Sequence, residues 1–331
     1  MSNKLARAAL DLVSPGGRRW LSVLIYHRVL PKPDPLLPGL IDVHAFSQQM
    51  ATISSSFSLL PLREGIARLA SGTLPPRAAA ISFDDGYADN HDIAVPIMRK
   101  FGVHATFFVA TAYLDGGVMW NDAVIEAVRQ CKADAIDSAE LGIGVLPTDT
   151  EEARKSAIVR LITRLKYLPA QFREEWIHRL LDTLGVQPST SLMMTSEQVV
   201  GLVRSGMDVG CHTDKHPIFT KAPIAEVKDE ILRGRSRLED IAGRSIKLFA
   251  YPNGRPGIDF GPQHVRLVRE LGFDAALSTC WGAAQTGDDL FQLPRFTSWG
   301  RSEFRFQFRM ATNILRSHLN LPSPPYWELS N

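Results

Sequence analysis

The sequence predicts an α/β fold built on a largely parallel sheet, and two observations predict it. Short β-branched or apolar runs alternate with longer segments of helical period, and the alternation breaks only once, over 116–192, where helical period alone is visible. The runs from Leu21 to Tyr26, Ala78 to Phe83, Ala105 to Val109, Met207 to Gly210, Ile246 to Tyr251 and Phe273 to Leu277 read as strands. Between them, Asp92 to Phe101, Ser196 to Arg204, Ile224 to Ile241 and Pro262 to Leu271 place apolar residues at helical spacing, and Thr195 with Gln198 forms a capping box for the second of these. Repetition of this kind closes into a barrel or winds into an open sheet. In the break, Asn121 to Cys131, Thr150 to Leu165 and Gln171 to Leu184 read as helices and no strand is expected. Strand-helix alternation resumes directly afterwards. The break is therefore a helical insertion in one domain spanning 1–331, a length that α/β barrels often carry as a unit. The tail from Leu321, with Pro322, Pro324 and Pro325, reads as an extended surface segment.

Composition narrows the function classes. Hydrophobic residues at 45% and charged residues at 22% suit a globular protein with a large core, so global disorder is excluded. Lys and Arg outnumber Asp and Glu by only 37 to 35, with no dense basic block, so no nucleic-acid partner is expected. The three cysteines, Cys131, Cys211 and Cys280, are odd in number and far apart, which fits a reducing compartment and neither a disulfide framework nor a thiolate metal site. From Met1 to Leu21, Asp11, Pro15, Gly16, Gly17, Arg18 and Arg19 interrupt any apolar run before signal-peptide length. No stretch approaches the roughly 20 apolar residues of a spanning helix. A cytoplasmic protein is expected, with peripheral contact at the inner face of the membrane left open.

The chemistry concentrates at strand ends. In Ser82-Phe83-Asp84-Asp85-Gly86 two adjacent carboxylates close an apolar strand, and adjacent anions stay ionised only if a cation or donors compensate. Asp-Asp-Gly is also common turn chemistry. In Gly210-Cys211-His212-Thr213-Asp214-Lys215-His216-Pro217 two histidines four apart can face one cation. Neutral imidazoles and a carboxylate, with one position left to water, are a standard ligand set for catalytic zinc. Either motif alone is common in loops. Together, at the ends of strands of one sheet, they supply three ligands and a spare base.

These two motifs resemble the first and second motifs of the NodB-type polysaccharide deacetylases, carbohydrate esterase family 4. Phe249-Ala250-Tyr251-Pro252-Asn253-Gly254 is similar to the third motif, and Leu293-Pro294-Arg295 occupies the place of the last. The resemblance runs from Leu21 to Phe296, apart from the insertion. It implies a distorted, incomplete (β/α) barrel and hydrolysis of an N-acyl, most often N-acetyl, group on an amino-sugar glycan or its lipid-linked precursor. It further implies a divalent metal, zinc by ligand type, on Asp85, His212 and His216, with Asp84 as general base and the backbone N–H of Asn253 facing the oxyanion. The same residues would serve a formamide or other non-peptide amide hydrolase, and a non-catalytic carbohydrate-binding member of the fold is a further alternative.

The sequence departs from the common pattern at two positions: the third motif has Ala250 in place of Arg, and Arg295 stands where the last motif has His. Arginine stays protonated at working pH and is a poor general acid. His27, in Tyr26-His27-Arg28-Val29 at the end of the first strand, is the expected proton donor, because imidazole titrates near neutrality and a branch of the family resembles this chain in its N-terminal Tyr-His. Arg295 is expected either to pair with Asp84 or to form a surface pair. By family position Trp281 and Leu293 line the acyl pocket or belong to the core, and Trp120 stacks on a sugar or packs. His44, His91, His104, His178, His264 and His318 lack comparable partners. The segment from Arg301 to Arg309 interleaves Phe304, Phe306 and Phe308 with Arg305 and Arg309, which suits a half-buried surface segment or contact with a membrane surface.

Overall fold

The computed structural model describes residues 20–297 and 303–318. The readings of the chain before Trp20 and of the tail from Leu321 lie outside the described residues, as do Arg301 and the side chains of Phe304 and His318. Eight strands form the main sheet: β1 (Trp20–Tyr26), β2 (Ser58–Leu59), β3 (Ala78–Phe83), β4 (Ala105–Val109), β5 (Asp208–Cys211), β6 (Leu248–Ala250), β7 (Ala275–Leu277) and β8 (Ala284–Gln285). Their order is β7-β6-β5-β4-β3-β1-β8, with β2 beside β3. Every pairing is parallel except β1 with β8. Six of these strands match the predicted runs to within two residues at either end. β2 and β8, two residues each, were not expected.

The sheet curls, and residues 293–296 bridge its two sides without forming a regular strand. Leu293 N–H donates to Ala276 O (3.0 Å) on β7, while Phe296 N–H donates to Val23 O (3.0 Å) and Ile25 N–H to Phe296 O (3.1 Å) on β1. The result is the incomplete barrel expected from the sequence. Period-2 alternation then decides which side chains face inward. Leu21, Val23, Ala78, Ala80, Phe108, Leu248, Ala250, Ala275, Leu277 and Leu293 form the inner cluster, and Gly210 belongs there because a Cβ at that position would lie 2.4 Å from the Phe108 ring. The outer face carries the larger core, where Phe83, Phe107, Val209, Cys211 and Phe249 meet helices α1 (Val43–Ser56), α3 (Val95–Lys100), α7 (Ser196–Arg204), α8 (Ile224–Ala242) and α9 (Pro262–Glu270). Helix α2 (Leu62–Ala70) sends Leu62, Ile66 and Leu69 into the inner cluster. The predicted capping box is present on α7. The helix expected from Asp92 begins instead as a π turn over Asn90–Ala94, where Pro96 has no amide to continue a regular α-helical ladder.

The insertion contains α4 (Trp120–Gln130), α5 (Glu151–Leu165) and α6 (Ala170–Leu184), close to the predicted spans. It differs in one respect: a hairpin of Ala135–Asp137 and Val145–Pro147 joins α4 to α5 where no strand was expected. Each arm buries a single residue, Ile136 and Leu146, so neither displays a readable alternation. The insertion has an apolar core of its own, with Val124, Val128, Leu161 and Leu165 fully buried. Each such side chain contributes roughly 1.5–3 kcal/mol. The Phe-rich segment forms helix α10 (Glu303–His318) and is half-buried: Phe306, Met310 and Ile314 are buried at helical spacing, and Phe308 is 62% exposed. Among the described residues no helix is long and apolar enough to cross a membrane.

Candidate active site

The inward alternation of β3 continues past its end, from Ala78 and Ala80 to Ser82 and Asp84. Asp84 is 2% exposed, its N–H held by Tyr26 O at 2.9 Å. Asp85 follows in the left-handed region, φ 76°, and Gly86 continues the turn at φ 94°. A side chain at Gly86 would press on Val109 at 2.9 Å, so the turn admits glycine on both grounds.

The second motif is bent just as sharply, with Thr213 at φ 67° and His216 at φ 55°. A β-branched residue there is a genuine outlier, and such positions cost about 1–3 kcal/mol each unless surrounding contacts hold them. Those contacts are visible. Thr213 O accepts from Thr111 N–H (3.3 Å), Asp214 O from Ala112 N–H (3.0 Å), and Thr213 Oγ1 from His216 N–H (3.0 Å). Glu230 of α8 accepts from Lys215 N–H at 2.7 Å, and Gly234 of the same helix lets its backbone lie against Thr213. The third motif adds Asn253 at φ 60°. Four of the six described non-glycine residues with positive φ thus sit in these three loops, the pattern of a strained, over-determined site.

The loops bring Asp85, His212 and His216 together. Asp85 Oδ1 lies 3.5 Å from His212 Nε2 and 3.4 Å from His216 Nε2, and the two Nε2 atoms are 3.1 Å apart. His212 Nδ1 donates to Ala250 O at 2.7 Å, which fixes the tautomer and turns the Nε2 lone pair toward the group. Ligand atoms 2.0–2.1 Å from one tetrahedral ion lie about 3.3 Å from each other, so these three atoms fit a common divalent cation. Electrostatics agree. Burial opposes protonation of His212, but Asp84 and Asp85 outweigh it and raise its pKa; the pair of buried carboxylates calls for positive charge at that place. His216 goes the other way, pushed down to about 3 by burial despite Asp85, so it presents a neutral ring. Burial alone would raise the carboxyl of Asp85, but hydrogen bonding and charge from His212, His216 and His27 hold it far below its ordinary value.

Asp84 is compensated differently. Arg295, fully buried, sends Nη1 to Asp84 Oδ1 and Nη2 to Oδ2, both at 2.7 Å. Its Nε donates to Ser278 O (3.0 Å) and Nη1 also reaches Ser82 Oγ (3.2 Å), which locks the guanidinium. Of the two readings of Arg295, the pair with Asp84 is the one found, and it is buried, not at the surface. Burial raises the Asp84 carboxyl, but Arg295, His212 and His27 together bring it below its usual range. Asp84 Oδ2 remains 3.9 Å from His212 Nε2, beside the three-residue cluster.

Asp84, Asp85, His212, His216 and Arg295 all line one cavity of about 370 Å³, in the range of small-ligand pockets. His27 lines it too, with an exposed side chain just past the end of β1, as do Trp120, Trp281 and Asn253. Leu293 does not; it is buried in the inner cluster. His264 caps α9 through Gly261 N–H, and the other described histidines lie away from the cavity. The sequence reading missed Ser82 and Ser278, which position Arg295, because they act through hydrogen bonds across strands that no local spacing reveals. It also missed Lys166 and Arg255, which line the cavity from the insertion and from the third-motif loop.

A sequence profile described as polysaccharide deacetylase matches residues 71–139 and 174–276, about half of the chain. Among solved structures, the deacetylase PplD of Streptococcus pyogenes, in complex with acetate, is similar at 17% identity over 84% of this chain and 92% of that one, with a TM-score of 0.55. IcaB of Ammonifex degensii is similar at 20% identity over 87% and 97%, TM-score 0.55. The deacetylase domain of BpsB from Bordetella bronchiseptica is similar at 14% identity over 86% and 98%, TM-score 0.52. At these identities the likeness is one of fold. No curated protein matches the sequence. The profile spans all three loops that carry Asp84, Asp85, His212, His216 and Asn253, and by that match the chain belongs to the polysaccharide deacetylase family.

Proposed function

We propose that the chain removes an N-acyl group, acetyl in the first instance, from an amino-sugar unit of a glycan or of its lipid-linked precursor, with a divalent metal, zinc by ligand type, on Asp85, His212 and His216. One observation carries this reading: three ligand atoms converge beside a carboxylate, Asp84, that is not among them and is held ionised by Arg295. When bound, a divalent cation there supplies a water of lowered pKa and polarises the amide carbonyl. Asp84 accepts the proton of the attacking water, its Oδ2 facing the cluster and Arg295 keeping it unprotonated beforehand. The N–H of Asn253 is the donor for the developing oxyanion. His27, exposed at the cavity mouth, gives the proton that the leaving nitrogen requires. Trp120 and Trp281 offer faces for the sugar ring.

The test is acetate release from a panel of N-acetyl sugars, oligosaccharides and lipid-linked saccharides, with N-formyl counterparts beside them and Asp84→Asn as the control. Release of acetate by the wild-type chain and not by the variant supports the reading. Formate release alone would make the enzyme a formamide hydrolase using the same residues, and no release from any member would leave a carbohydrate-binding protein.

A further inference from the structure

We infer that Lys166 and Arg255 form a subsite for an anionic group, phosphate or carboxylate, carried by the acylated sugar. This deepens the deacetylase reading and rests on it. Lys166 is the C-cap of α5, so the insertion delivers it to the cavity that holds Asp85, His212 and His216. Among the described residues its ammonium has no carboxylate within ion-pair distance, and its nearest cationic contact is with the ring of Tyr167 at 5.7 Å. Burial, reinforced by Arg255, lowers its pKa, against the pull of Asp259.

Arg255 is the second cation. Its Nε and its backbone N–H both donate to Asp259 Oδ2 at 3.0 Å, and Nη2 reaches the hydroxyl of Tyr167, which in turn donates to Asp259 Oδ1 at 3.2 Å. Asp259 is fully buried and accepts three hydrogen bonds, through which it positions Arg255 and Tyr167. Lys221 lies over the same ring at 5.8 Å and Arg255 at 5.9 Å, which gathers three cations around one tyrosine.

The charges in and beside the cavity can then be paired off. Asp84 is matched by Arg295, Asp85 belongs to the metal cluster, and Asp259 is matched by Arg255. Two cations are left over: Lys221, which does not line the cavity, and Lys166, which does and is half-buried next to like charges. A neutral sugar does nothing for it. An anion placed between Lys166 and Arg255 would meet charge-assisted donors and relieve the crowding. Trp120 and Ile162 line the same cavity and offer the sugar ring an apolar surface.

The experiment is a fluorescence titration, reporting through Trp120 and Trp281, of the full chain with neutral N-acetylglucosamine, with its 1-phosphate and with N-acetylmuramic acid, a carboxylate. At least one anionic sugar should bind roughly tenfold or more tighter than the neutral one. Lys166→Gln should bring them to within about twofold of each other, while Lys166→Arg keeps the preference. Preference for the phosphate alone points to a phosphate-bearing substrate such as a carrier-linked sugar; preference for the carboxylate alone points to an acidic glycan. Equal binding of all three sugars, or a preference that survives Lys166→Gln, would overturn the inference. Acetate release is followed separately on the same sugars: its absence would count against the deacetylase reading and leave the binding comparison standing.

Discussion

Replacing Arg295 by methionine should uncouple two things that the Asp84–Arg295 pair does at once. The pair is dry, with the Arg295 side chain fully buried and that of Asp84 3% exposed, and it is bidentate at 2.7 Å. Removing one partner of such a pair costs about 3–5 kcal/mol, because the other charge is left buried and unmatched. For 331 residues, an unfolding entropy of about 2.1 cal/mol/K per residue gives about 0.7 kcal/mol/K, so Tm should fall by about 4–7 °C. Asp84→Asn combined with Arg295→Met removes both charges and should melt higher than Arg295→Met alone. Without Arg295, burial is the dominant influence on Asp84 and its carboxyl rises, so the acid limb of the kcat/KM profile for acetate release should move to higher pH. Calorimetry at neutral pH and the pH–rate profile check the two effects. A variant that melts within about 1 °C of the wild type, or whose acid limb stays in place, would show that the pair does neither.

Asp84→Asn should retain the metal and lose turnover by roughly 10² or more, since it removes the base and none of the three assigned ligands; loss of the metal in elemental analysis would instead make Asp84 a ligand. His27→Ala should lower turnover by roughly 10²–10⁴ while metal content and melting stay near the wild type, because its side chain is exposed; near-normal turnover would return the acid role to another group. The pH dependence of stability follows from Asp84 and Asp85. Both folded carboxyls lie below the unfolded value of about 3.9, so the stability they contribute is full above that value and is lost as pH falls through the folded ones. The denaturant midpoint of chelator-treated protein should therefore drop below about pH 4, and a midpoint that rises on acidification would contradict the assignment.

The strands were legible where burial is continuous, as in Ala78–Phe83, and the helices where apolar residues recur on one face, as in Ile224–Ala242. Two-residue strands such as Ser58–Leu59 and the hairpin arms around Ile136 and Leu146 are too short to carry a period. The Phe-rich segment was legible as half-buried but not as a helix: the alternation of Phe304, Phe306 and Phe308 hides the helical stripe of Phe306, Met310 and Ile314. At the site, Asp84, Asp85, His212 and His216 were legible because strand ends of one parallel sheet open on the same side. The partnership of Arg295 with Asp84 could be named but not located, since it depends on residues 293–296 bridging β7 and β1. Lys166 was not legible at all. Nothing near it in sequence marks a ligand, and only the fold of the insertion brings the end of α5 to the cavity.

Acyl transfer to water is proposed to depend on one divalent ion held by Asp85, His212 and His216. The most direct measurement is acetate release from an N-acetyl amino-sugar substrate by protein stripped with chelator and then titrated with Zn²⁺. Activity should be lost on stripping, climb linearly and level off at one equivalent, and His212→Ala should show neither the rise nor the bound metal. Full activity in the stripped protein, or a response that His212→Ala leaves unchanged, would contradict that dependence.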